Sequence, residues 1–283
     1  VISLPDAKFL LLGVAVALTT IHLHLVWASE HYELLEPSLL CWCAAWFLAW
    51  RRNWSGLNSG LAAMSIGVLT IVWILLRSAS IIGYDSFLRF TPVLSGLSVA
   101  LLASGFPRLK QYWRELVILG FIAIPTTSLM AAIDISPLTA DFASSLLWYG
   151  GYPITQQGVN LIMPTGSVEV YAGCSGINLI FQLLTLVFLF AMLFPLGIFQ
   201  TAILPIVAVS IGFVVNSVRV ALMTILFAQS KRDAFDYWHL GNGSLIFALI
   251  AMVLLGGVCY YLLEQAELEQ AEHSEMQKEG TEP

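Results

Sequence analysis

The sequence predicts an all-α, polytopic membrane helix bundle of about eight transmembrane helices, with a small extracytoplasmic hairpin before the sixth. Two observations carry this. The 283 residues are 58% hydrophobic and only 11% charged, with a mean hydropathy of +0.83, whereas a soluble domain carries roughly 25% charged residues. Such a chain cannot cover itself with polar surface and has to be solvated by lipid. In addition, apolar runs of the length that crosses a bilayer, about 20 residues, recur along most of the sequence.

The predicted spans lie near 8–27, 34–50, 57–77, 87–106, 115–133, 176–196, 198–222 and 243–263. The first is long enough to cross a bilayer, so it reads as a membrane helix and not as a cleaved leader. Several spans contain proline or glycine, which membrane helices tolerate. These boundaries divide the chain into a five-span region (1–133), a membrane region with a long outer loop (134–263) and an acidic tail (264–283). The tail holds seven glutamates against one lysine and accounts for most of the net charge of −6. The remainder is nearly balanced, with no basic stripe that points to nucleic acid.

Orientation follows from lysine and arginine in short connections. Arg51 and Arg52 lie in the second, and Arg108, Lys110 and Arg114 in the fourth, while the first, "ASEHYELLEP", has neither residue type. This predicts that the N-terminus, the even-numbered connections and the tail are cytoplasmic, in a multi-pass protein of the plasma (inner) membrane. Segments 134–175 and 228–242 then face outward. Arg77, Arg89, Lys231 and Arg232 run against this assignment.

The connection 134–175 changes character along its length. "SPLTADFASSLLWYGGY" reads as a short interfacial helix with Trp148 and Tyr149 at headgroup level. "PITQQGVNLIMPTGSVEVYAGC" follows with short Val/Ile/Thr runs and a turn at Pro164 to Gly166, which predicts two strands. The hairpin ends at Cys174, where the sixth span starts.

Three residues stand out against packing. Cys174, in "YAGCSGINLI", sits at a helix N-terminus, where the dipole and free N–H groups favour a thiolate. Ser175 follows it, and Gly173 and Gly176 would let a substrate backbone approach. A buried, inert cysteine is the alternative, and it is the reading for Cys41, Cys43 and Cys259. Arg219 lies within "GFVVNSVRVALMTIL", where an arginine at mid-membrane costs roughly 2.5–3.5 kcal/mol. It shares a helix face with Asn216. Either it snorkels to headgroups, or it turns into the bundle. His239 precedes the eighth span, either as an interfacial residue beside Tyr237 and Trp238 or as a proton carrier. His22 and His24 are spaced i, i+2, a poor metal pair, so neither metal nor cofactor is expected.

The predicted topology brings these three to one membrane face. A nucleophile, a cation and an acid/base are the parts needed for acyl transfer. Two rivals are a transporter whose Arg219 and Asn216 line an anion path, and a non-catalytic scaffold. No internal repeat and no H-E-x-x-H occurs.

Together, Cys174-Ser175-Gly176 opening one span, Asn216-x-x-Arg219 in the next and an aromatic–His step at 238–239 resemble the exosortase/archaeosortase family. The resemblance covers roughly 140–255. It implies a membrane cysteine protease-transpeptidase with Cys174 as nucleophile and Arg219 and His239 as the other catalytic positions. Its substrates would be exported proteins with a C-terminal motif such as Pro-Glu-Pro (PEP-CTERM-like), a membrane helix and a basic cluster. A thioester on Cys174 would pass to an unknown acceptor nucleophile at the cell surface. Many relatives have an acidic residue where Ala172 stands and an arginine where Asn178 stands, and "AGCSG" is similar to the cyanobacterial branch. Asn216, Ser175 and Gly176 are expected to support the site.

Overall fold

The computed structural model describes residues 4–52, 59–81, 83, 85–125, 132–239, 241 and 243–279. The chain forms two compact units, Val1–Pro125 and Thr126–Pro283.

The first unit packs α1 (Leu4–Ala28), α2 (Tyr32–Arg51), α3 (Leu61–Ser78), α4 (Phe87–Ser104) and α5 (Trp113–Phe121), with a 3₁₀ segment at Phe106–Tyr112. Gly105 ends α4 at φ +65°, a conformation only glycine adopts cheaply. Arg77 pairs with Asp85 across the α3–α4 connection, which neutralises one of the two arginines that ran against the predicted orientation there.

The second unit starts with α6 (Ser136–Tyr149), whose first turn is capped by Asp134 accepting from the Ser136 N–H at 2.9 Å. Three strands follow as an antiparallel meander: β1 (Thr155–Gln157), β2 (Asn160–Met163) and β3 (Gly166–Glu169). Then come α7 (Ile177–Leu193), α8 (Ile198–Ala228), α9 (Arg232–His239) and α10 (Gly243–Glu279). One buried cluster joins Ala140, Ala143 and Leu147 of α6, Leu161 of β2, and Val220, Ala221 and Met223 of α8. The alanines on α6 let its backbone approach α8 closely. A second cluster joins Leu183, Leu204, Ala208, Val215, Phe247 and Ala251 of α7, α8 and α10. Trp238 packs against both.

Five described helices are long and apolar enough to cross a bilayer: Lys8–Ala28, Leu61–Ser78, Phe87–Ser104, Ile198–Ala228 and Gly243–Ala266. Large apolar side chains point out from them, among them Leu69, Leu76, Leu245, Leu249 and Val253. Outward apolar faces of that extent are solvated by lipid, not water.

Beside these five, α2 has the length of a span and carries Glu33, Glu36 and Arg51, and α7 is an apolar helix of 17 residues. The structure departs from the sequence expectation in three places. The expected fifth span, 115–133, is not one helix: α5 stops at Phe121 and the chain turns at 122–125. Pro125 lacks an N–H and disfavours helical backbone at the residue before it; residues 126–131 lie outside the described residues. The expected hairpin gains a third strand because Gly158, at φ +60°, reverses the chain between β1 and β2. Finally, Cys43 is exposed on α2 while Cys41 is buried, as two residues apart on a helix face different ways.

Candidate active site

The segment before α7 is bent so that one thiol is held and aimed. Ala172–Cys174 form a 3₁₀ turn in which the Cys174 N–H donates to the Tyr171 carbonyl at 2.8 Å. The Ser175 hydroxyl donates to the Ala172 carbonyl at 2.7 Å, and the Thr139 hydroxyl of α6 donates to the Ser175 carbonyl at 2.7 Å. Asn216 of α8, buried, donates its amide to the Cys174 carbonyl at 2.8 Å. The backbone on both sides of the thiol is thereby tied to two different helices.

Gly176, the residue before α7, has φ +92°, and a Cβ there would stand 2.7 Å from the Asn216 side chain. Both facts make any other residue strained and crowded there. Gly176→Ala is therefore expected to displace Asn216 and loosen the Cys174 backbone. The expected result is a loss of activity of roughly 10²-fold, the scale of an ångström misplacement, with membrane insertion intact, measured as turnover per inserted protein.

Cys174 is 6% exposed, and its Sγ lies 3.3 Å from Nε2 of His239. The imidazole sits at the end of α9, with Phe235 one turn earlier at 5.2 Å between ring centres. Neighbouring Trp238, wedged between the two core clusters and 5.6 Å from the Phe247 ring, anchors that helix end.

Arg219 reaches the same place from α8. Its Nη2 donates to the His239 carbonyl at 2.8 Å and its Nε to the Trp238 carbonyl at 3.4 Å. A cation on the last carbonyls of a helix is a favourable partner for the helix dipole. Among the described residues, then, Arg219 holds the histidine through its backbone. At about 1.5 Å per residue, Arg219 stands about 31 Å along α8 from Ile198, a length comparable with the ~30 Å of a hydrocarbon core.

Burial, and then the charge of Arg219, push the pKa of His239 down from its ordinary 6.5, with Asp236 opposing. The ring is therefore neutral at neutral pH and able to take a proton at Nε2. A group whose folded pKa is lowered in this sense favours the folded site above pH 6.5 and loses that contribution as pH falls below it.

Tyr171 joins the site although the sequence alone does not mark it. Its hydroxyl lies 3.5 Å from His239 Nε2, and its ring is edge-on to the imidazole. Its hydrogen bond with Cys174, and then the charge of that residue, push the phenol up from its ordinary value. It thus stays a proton donor. A signal was present in the spacing, because residues three apart on a 3₁₀ turn share a face.

Every site residue predicted from sequence falls in this cluster: Cys174, His239, Arg219, Asn216, Ser175 and Gly176. Among the described residues, no group of three or more His, Cys, Asp or Glu could hold a metal ion.

The fold and site define a multi-pass membrane protein with a thiol–imidazole pair at one end of its helices. The profile of one family, described as transmembrane exosortase (Exosortase_EpsH), matches residues 26–256. The chain belongs to the transmembrane exosortase family. No curated protein and no solved structure matches it.

Proposed function

We propose that the protein is a cysteine protease-transpeptidase that cleaves the C-terminal sorting tail of exported proteins. The supporting observation is the 3.3 Å approach of Cys174 Sγ to His239 Nε2. In the reaction, His239 takes the thiol proton as sulfur attacks the peptide carbonyl carbon. Collapse of the tetrahedral adduct breaks the C–N bond, and His239 returns the proton to the leaving amine. The acyl group stays on Cys174 as a thioester until an acceptor nucleophile at the cell surface attacks it, its proton passing through His239 and the thiol re-forming.

Arg219 holds His239 in line, and its charge and the Tyr171 hydroxyl stabilise the oxyanion. The substrates are membrane-inserted proteins carrying a Pro-Glu-Pro-like motif, a helix and a basic cluster, and the site faces the extracytoplasmic side of the plasma membrane. This orientation rests on the basic second and fourth connections. A transport path is less well supported, because the polar groups gather at one end of α7, α8 and α9 and not along a route between helices.

The test is a processing assay in cells with a tagged substrate of that tail architecture. Wild type is expected to produce the size shift and His239→Ala to lose it. Equal processing by both would overturn the reading. Tyr171→Phe removes one oxyanion donor and keeps the ring, and kcat is expected to fall by about 10- to 100-fold with KM little changed.

The pH dependence has a defined sign. The neutral imidazole is the competent form, so kcat/KM is expected to fall on the acid side with an apparent pKa below 6.5. That value belongs to the thiol–imidazole pair and not to one residue. An acid limb above 6.5 would contradict the assignment.

A further inference from the structure

Where α6 runs into the meander, the second unit carries an open groove of about 610 Å³, within the range of ligand sites, about 300–1,000 Å³. Trp148, Tyr152, Pro153, Thr155, Ile162 and Pro164 line it, and among the described residues none of its lining side chains is charged. Thr155 and Ile162 are cross-strand partners on β1 and β2. Gly151, at φ +80°, turns the chain out of α6, and the Tyr152 N–H donates back to the Leu147 carbonyl at 3.0 Å. Proline fixes φ at positions 153 and 164. The groove is thus largely preorganised, which lowers the cost of filling it.

Its chemistry points to a peptide. Trp148 is 64% exposed and Tyr152 36%, so both rings are open to an occupant. Aromatic rings and prolines without charge suit an extended polyproline-type segment, whose carbonyls make no internal hydrogen bonds. The rings pack on its apolar side, and the indole N–H and phenol O–H donate to its carbonyls. Lipid headgroups also suit an exposed tryptophan, but a phospholipid head is charged and this groove has no charge to meet it.

The distance from the thiol is set along α8. Asn216 holds the Cys174 carbonyl, and the Thr165 hydroxyl, next to Pro164, donates to the Ala228 carbonyl at 2.7 Å. Those two positions of α8 are about 18 Å apart at about 1.5 Å per residue. A polyproline-type chain covers that length in about six residues. The groove lies towards the end of α8 that follows Arg219, the side on which the exported, acyl-bearing half of a substrate continues.

We propose that this groove is a second reading point for the substrate chain, taking an extended, uncharged, proline-bearing segment about six residues before the bond cut at Cys174. The assignment rests on the reaction proposed for Cys174 and goes beyond it, because a segment so far from the bond touches none of the catalytic side chains.

The experiment uses the full-length protein in vesicles of phosphatidylethanolamine and phosphatidylglycerol, with two tagged substrates that differ only five to seven residues before the cut. One carries prolines there and the other aspartates. In wild type, KM is expected to be about five- to tenfold lower for the proline-bearing substrate, the scale of one aromatic contact, with similar kcat for both. Trp148→Ala is expected to lose that preference. Because the indole is exposed, its removal opens no cavity in the core. Separately, a photoreactive p-benzoylphenylalanine placed at residue 148 of the Cys174→Ala protein is expected to crosslink to substrate four to eight residues before the cut. Equal KM for the two substrates in wild type, the same preference in Trp148→Ala, or crosslinks to lipid alone would each overturn the proposal while cleavage persists. Absence of cleavage by wild type would instead overturn the reaction, and the crosslink, to peptide or to lipid, then decides the groove by itself.

Discussion

Cys174→Ala is expected to abolish processing of the tailed substrate, a loss on the order of 10⁴-fold or more, while leaving membrane insertion unchanged. The reason is that the other members of the site act only through this sulfur. Without it, His239 has no proton to take and the oxyanion groups have no adduct to stabilise, as when a nucleophile that works as a unit with its base is removed. The backbone carbonyl of residue 174 remains for Asn216 to hold, so the fold around the turn persists. The check is a comparison of size shift with membrane-fraction abundance for wild type and variant. Cys174→Ser is expected to be nearly as inactive, because a serine hydroxyl is a far weaker nucleophile without stronger activation. Substitution of Cys41, Cys43 or Cys259 is expected to leave processing unchanged.

Arg219→Lys is expected to be the next most damaging change, with kcat falling by about 10²- to 10³-fold although the charge is kept. Arginine spans two successive carbonyls, of Trp238 and His239, with a planar fork. A lysine ammonium is a point charge on a flexible stem and cannot reproduce that geometry. The end of α9 would then be held by Trp238 packing alone, and the imidazole would lose its alignment with Sγ. If Arg219 only anchored the helix to lipid headgroups, lysine would serve equally well. The measurement is kcat and KM for the variant in vesicles. A fall in kcat at unchanged KM supports the positioning role, and wild-type kinetics for Arg219→Lys would refute it.

The main parts of this site are legible in the sequence for a simple physical reason. In a chain that is 58% hydrophobic, a charged or titratable side chain inside or beside a span is costly, so Arg219 and His239 announce themselves. Cys174 does so through the small residues around it and its place at the start of a span. Asn216 follows from helical spacing to Arg219. The sequence could not disclose what Arg219 touches, because its acceptors are backbone carbonyls that every residue possesses. Tyr171 is not distinguishable in the sequence, because an exposed tyrosine at a membrane boundary is the ordinary case. Only the 3₁₀ turn that stacks it above Cys174 gives it a place.

The fold was legible to the same degree. Long apolar runs such as 8–27, 87–106 and 198–222 became helices, since lipid demands internal hydrogen bonding. α8 continues to Ala228 because its last turns are covered by α6 and the meander and not by lipid. The fifth run failed as one span because hydropathy is blind to what Pro125 does to the backbone before it. The first strand is not legible in the sequence because "TQQ" has no apolar alternation to reveal it, and its pairing depends on the turn at Gly158.

The central claim, that Cys174 carries the acyl group, is tested most directly by trapping the intermediate. The full-length protein in vesicles is mixed with tagged substrate, quenched in acid and separated under denaturing conditions. The account predicts a covalent adduct of enzyme and substrate, mapped to Cys174, released by neutral hydroxylamine as a thioester must be, and missing from Cys174→Ala. Cleavage that proceeds in Cys174→Ala, with no adduct in either protein, would contradict it.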